Sequence, residues 1–210
     1  MAFLNGRVSY IRYQVSGEAP LPWADDVIER LAKQSLGERG AADPKDGVRF
    51  GWGGGHHVLD ASFDPAKNLI EDVVHAAIVV ETDKIPADLL KAYITIEEQA
   101  RARTNPSGFP TRARREEAKE AARHRAEAEA ADGRYRKRKS YPILWDGQSN
   151  WLYAGVTSAA VLDRLRTLFR ETFHRELTPM SAGWLAAEQA NRRGQTAALD
   201  LATPRAFNLE

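Results

Sequence analysis

The chain has 210 residues, 43% hydrophobic and 28% charged, and reads as a globular protein long enough to bury a core. It has no cysteine, which excludes disulfides and thiolate metal sites, and no apolar run of about eighteen residues that would form a membrane-spanning helix. The formal net charge of +1 hides an asymmetry: residues 99–140 hold 13 Lys and Arg against 6 Asp and Glu, a net of +7 against −6 for the remainder, and such a segment points to a polyanionic partner.

Residues 3–15 mix aromatic and β-branched types and predict a first strand. Residues 1–12 have neither the charged head nor the apolar stretch of a secretion signal, so a cytoplasmic location is expected. Over residues 21–36, Trp23, Val27, Ile28, Leu31 and Leu36 share a face, which predicts a helix stopped by Gly37. Residues 37–46 read as a loop, and Gly51, Trp52, Gly53, Gly54 and Gly55 as a turn or close packing around the indole. A short strand is expected over residues 58–63, turn chemistry over 64–68, and a buried strand over the apolar run 73–81. Pro86 suits the first position of a helix whose apolar side is Leu89, Leu90, Tyr93 and Ile96.

Residues 101–110 form a loop marked by Asn105, Pro106, Gly108 and Pro110. Residues 112–131 contain no large apolar side chain and consist of strong helix formers, which predicts a helix that projects rather than packs. Beyond it, residues 140–146 and 151–156 predict a hairpin, and Thr157 or Ser158 caps a helix carrying Val161, Leu162, Leu165, Leu168, Phe169 and Phe173 at helical spacing.

The chemistry concentrates in the middle third. At 100° per residue, Arg112, Arg115, Lys119 and Arg123 fall within about 80° of arc and make a basic stripe. Arginines crowd the first turn of this helix and acids its last, against the macrodipole, so the cations serve something other than helix stability. Arg134, Tyr135, Arg136, Lys137, Arg138 and Lys139 follow as five cations and one aromatic ring, suited to phosphate contact with the ring against a sugar or base step. Asn and Gln are scarce there, so backbone contacts without sequence preference are expected. The bland alternative for both segments is a solvated charged surface. His56, His57, Asp60 and Asp64 do not read as a metal site, because adjacent histidines point to opposite sides of a strand. His75, inside the apolar run, reads as a core residue. No nucleophile with a base and no acidic cluster for two-metal chemistry emerges, so no catalytic residue, metal or cofactor is expected.

The order of these pieces resembles the RdgC family of recombination-associated proteins. The likeness spans roughly residues 1–200 and is carried by Phe3, Leu4 and Asn5; Gly51 and Trp52; and Glu81, Thr82, Asp83, Lys84, Ile85 and Pro86. It continues in the hairpin from Ile143, Leu144, Trp145, Asp146 and Gly147 to Trp151, Leu152 and Tyr153, and in Leu177, Thr178, Pro179 and Met180. The resemblance implies an α+β homodimer closing into a ring with a positively charged hole for duplex DNA, restraint of a recombinase, and no catalytic residues. It also implies a finger before the central hairpin, which Tyr135 matches best although its surroundings are more basic than the family pattern. Family members are typically longer, so the resemblance implies a truncated or divergent member.

The fold expected is α+β: mixed or antiparallel sheets with packed helices, in two ββα-like blocks joined by a projecting charged helix. Its units are an N-terminal block (1–101), the basic projection and loop (102–139), a ββα block (140–182) and a C-terminal segment (183–210). The function expected is binding of duplex DNA without sequence selection by a clamp or ring, by a cytoplasmic, nucleoid-associated homodimer that modulates recombination. The alternatives are a protein-interaction module docking an acidic partner such as a recombinase, and a metal-dependent nuclease.

Overall fold

A computed structural model describes residues 9–17, 25–39, 47–103 and 109–203. In chain order the elements are β1 (Ile11–Val15), α1 (Asp25–Lys33), β2 (Val48–Gly53), α2 (Pro65–Asn68), β3 (Leu69–Ile70), β4 (Val73–Thr82), α3 (Ala87–Ala102) and α4 (Arg112–Ala131). They continue with β5 (Lys137–Asp146), β6 (Trp151–Ala154), α5 (Ala159–Phe173), β7 (Leu177–Pro179), α6 (Ala182–Arg193) and α7 (Thr196–Asp200). Residues 3–8 of the expected first strand, 21–24 of the first helix, 40–46 and 104–108 of two loops, and 204–210 lie outside the described residues.

The architecture is α+β. Among the described residues, seven strands make one antiparallel sheet in the order β2-β4-β5-β6-β1-β7, with β3 also on β4. β4 sits inside it, with Ile78 opposite Trp52 on one side and Tyr141 on the other. Two packed faces explain why residues 73–81 are a continuous apolar run rather than an alternation.

One face carries the core. Tyr13, Trp52, Val74, Ile78, Ile143, Trp145 and Leu152 pack under Val27, Ile28 and Leu31 of α1 and Leu165, Leu168, Phe169 and Phe173 of α5. The helical spacing read from the sequence is the buried side of α5. Trp145 stands edge-on to Phe169 at 5.3 Å and to Phe173 at 5.1 Å, a favoured arrangement of the ring quadrupoles. The Trp52 indole N–H, buried in the same layer, donates to the Thr172 hydroxyl at 2.8 Å.

On the other face, residues 54–68 fold over the β2 and β4 end. Asn68, fully buried, donates from Nδ2 to the carbonyls of Gly54 (2.9 Å) and His75 (2.6 Å) and so ties the loop to β4. A Cβ on Gly54 would lie 2.3 Å from the Ser62 carbonyl oxygen, so the glycine here is required by close approach of two backbones. Residues 58–63, expected as a strand, are part of this loop; the strand of this region is β2, which begins ten residues earlier. The ββα order recurs as β3-β4-α3 and β5-β6-α5, but only α5 covers the sheet.

Between β4 and β5 the chain forms a helical hairpin. α4 packs on α3 through Ala118, Ala122 and Ala126, all at 0% exposure. Spacing of four puts these methyls on one line, and their size lets the helices approach closely. The charged helix thus stands off the core as expected, but it has a side that the sequence reading passed over: alanine serves as its apolar face toward α3. No residue of α3 is fully buried, and Ile96 is 49% exposed, so the hairpin stands away from the core.

Candidate nucleic-acid interface

α4 begins where the Thr111 hydroxyl accepts from the Arg114 N–H at the N-cap. It has no acid in its first turn and no base in its last, so neither end is matched to the macrodipole. With the alanine seam facing α3, helical geometry sets Arg112, Arg115, Lys119 and Arg123 along one flank, about 20 to 100° from the seam. Lys119 pairs with Glu116 at 2.8 Å. Arg112, Arg115 and Arg123 are exposed and make no ion pair among the described residues. Glu116 is the local carboxylate: the Lys119 ammonium, with Arg112 and Arg123 nearby, holds its pKa below the usual range. On the other flank, Arg125 lies over the Tyr93 ring at 4.3 Å, and Arg114 reaches the Arg101 carbonyl at 3.4 Å.

The stretch from Arg134 to Lys139 divides. Tyr135 donates from its hydroxyl to Glu129 at 2.5 Å, and Tyr93 donates to the same carboxylate at 2.7 Å. Glu129 thus joins α3, α4 and the chain entering β5 at the base of the hairpin. The ring expected to lie against a sugar or base is tied down by this bond. Arg134 also leans toward Glu129, at 3.6 Å. The bond to Glu129 pushes the Tyr135 phenol up to about 12, and the two tyrosine hydroxyls hold the Glu129 pKa down. A spectrophotometric pH titration is therefore expected to show a tyrosine ionising near 12 in the native protein. In Glu129→Gln that phenol returns toward the ordinary value of about 10; an unchanged curve would contradict the arrangement.

Arg136 and Arg138 turn toward Glu81 while keeping part of their surface in solvent. The Arg138 guanidinium donates from Nε (2.8 Å) and Nη2 (2.6 Å) to Oε2 of Glu81, its partner across the β4–β5 ladder. Arg49, opposite Glu81 on β2, contacts Oε1, and Arg136 stands 3.4 Å from Oε1 and 3.2 Å from Asp83. Glu81 is only 1% exposed, so three guanidinium groups compensate one buried carboxylate. Sequence reading missed this centre. The signal was an acid closing an apolar strand, which costs too much to bury without cations. Lys137 and Lys139, on the opposite side of β5, are exposed and make no ion pair among the described residues.

Of the ten residues expected to contact DNA, five are held by carboxylates: Lys119, Arg134, Tyr135, Arg136 and Arg138. Arg112, Arg115 and Arg123 gather on the hairpin flank, and Lys137 and Lys139 at the start of β5.

The other candidates have structural partners. Asp60 is buried, yet the Lys67 ammonium at 2.9 Å, the backbone N–H groups of His56 and Ser62 and the Ser62 hydroxyl hold its pKa well down. His56 and His57 are exposed, and among the described residues no group of three His, Asp or Glu gathers as a metal site. His75 lies buried on β4, and that burial pushes its pKa down. Among the described residues no helix is long and apolar enough to cross a membrane. Comparison with models of known protein families and with curated proteins finds no match to this chain.

Proposed function

We propose that the protein binds duplex DNA through its phosphates, without reading sequence, along the flank of α4 and at the start of β5. The observation that carries this reading is that Arg112, Arg115 and Arg123 lie on one exposed helix flank with no ion pair among the described residues, although acids that could neutralise them are abundant on the same helix. From Arg112 to Arg123 the helix rises about 16 Å, close to five base-pair steps of B-DNA at about 3.4 Å each. α4 has no Asn or Gln, the side chains that pair with adenine edges, so its contacts are to phosphate.

The resemblance to RdgC proteins extends this reading to a clamp or ring built by a homodimer, acting on recombination at the nucleoid; that extension rests on the resemblance alone. The test is a duplex titration at several salt concentrations. Five cations at about 0.9 each give an expected slope of log affinity against log salt near −4.5, shared by duplexes of unrelated sequence. A flat response or a strong preference for one sequence would overturn the reading.

A further inference from the structure

β5 is ten residues long, but β6 pairs with only its second half. The last bond between the two lines runs from the Gly155 N–H to the Pro142 carbonyl at 2.8 Å. In an antiparallel ladder this decides the direction of every backbone group on the strand. Even-numbered residues of β5 face the β6 side and odd-numbered residues face β4. The Gly147 N–H bonding the Asp72 carbonyl on the β4 side, at 2.8 Å, agrees with that phase. Arg138 and Ser140 therefore present their N–H and C=O groups along an edge that no described strand covers.

This edge has a cavity on each face. On the helix side, a cleft of about 300 Å³ has Val48, Val80, Tyr141 and Val161 in its lining, with Lys137 and Lys139 beside them. On the other side, a cavity of about 480 Å³ lies between His56, His57 and Val58 of the 54–68 loop and Ser140 and Pro142 of the strand. Side chains of an added strand alternate between two faces, so a strand on this edge would send successive residues into one cavity and then the other.

We infer that the free half of β5 takes up an extended acidic segment of another protein as an added strand. The charges select the occupant. Lys137 and Lys139 lack ion partners among the described residues and favour glutamate or aspartate around an apolar residue in the cleft. A second copy of the same edge would bring lysines against lysines, and cations on an edge oppose self-pairing. Lys137 and Lys139 also serve the proposed phosphate contact, so DNA and the acidic segment would compete at the start of β5, while Arg112, Arg115 and Arg123 of α4 serve DNA alone.

The test uses the whole chain and a fluorescein-labelled nonapeptide of alternating glutamate and valine, followed by anisotropy. Binding in the micromolar range is expected. It weakens at least about tenfold when lysine replaces glutamate, or when one alternate set of peptide amides is N-methylated, while methylation of the other set is tolerated. Ser140→Pro should cause a similar loss while keeping the fold, because the N–H it removes faces away from β4; circular dichroism and a thermal melt check this. Equal binding of both methylated peptides would overturn the inference on the unaltered chain. So would undiminished binding of the peptide by a folded Ser140→Pro.

Discussion

Replacing Arg112, Arg115 and Arg123 together with glutamate is expected to weaken duplex binding at least about a hundredfold near 0.1 M salt. The figure takes about 1 kcal/mol for each lost phosphate contact, with tenfold per 1.4 kcal/mol. The three side chains are exposed and have no ion pair among the described residues, so their replacement removes no described ion pair of the folded chain. Glutamate near the start of α4 also suits the macrodipole, where arginine opposes it. Against this, glutamate at 112 and 123 faces Glu116, Glu120 and Glu127 and gives up the attraction that holds the Glu116 pKa down, so the small surface terms offset and the variant should melt close to the parent while losing its affinity. A fall in stability equal to the fall in affinity would mean that these arginines hold the hairpin together. Undiminished affinity would mean that the flank is solvated surface and nothing more.

Removing Glu81 should give the largest stability effect of any single substitution discussed. Its carboxylate is buried, and Arg49, Arg136 and Arg138 converge on it from β2, the turn before β5 and β5. Glu81→Ala leaves three guanidinium groups around a cavity without their counter-charge. Loss of one partner of a fully buried pair costs about 3–5 kcal/mol. The arginines are partly solvated, so about 3 kcal/mol is expected, which lowers the melting temperature by about 6–12 °C in a chain of this size. A shift under about 2 °C would show that water already screens the cluster. Arg136 and Arg138 are released by this substitution, so DNA affinity measured below the melt should hold or rise. That separates their role from that of the α4 flank.

What could be read from sequence follows from which signals are local. α4 was legible to the residue because its composition is helical throughout and Thr111 and Asp132 bound it. β4 and α5 were legible because burial on two faces and on one helical stripe leave distinct patterns. β2 was hidden behind Gly51 and Gly53, which read as a turn or as close packing around Trp52 and not as part of a strand. Their glycines answer to tertiary contacts: a Cβ on Gly51 would lie 2.5 Å from the Leu36 nitrogen, and one on Gly53 the same distance from Val79 Cγ2. The alanine seam of α4 escaped because alanine was counted as a helix former and not as an apolar surface. The candidate site was half legible for a related reason. A run of cations gives its net charge directly, but which guanidinium is neutralised depends on strand register, and only the register places Glu81 beside Arg138 and Arg49.

The salt dependence of duplex binding, measured side by side on the parent chain and on the variant with glutamate at 112, 115 and 123, decides whether phosphates are met on the flank of α4. Five phosphate contacts in the parent and two in the variant, from Lys137 and Lys139, predict slopes near −4.5 and about −1.8. Equal slopes in the two proteins would contradict the account, because the cations that displace counterions would then lie somewhere other than the flank of α4.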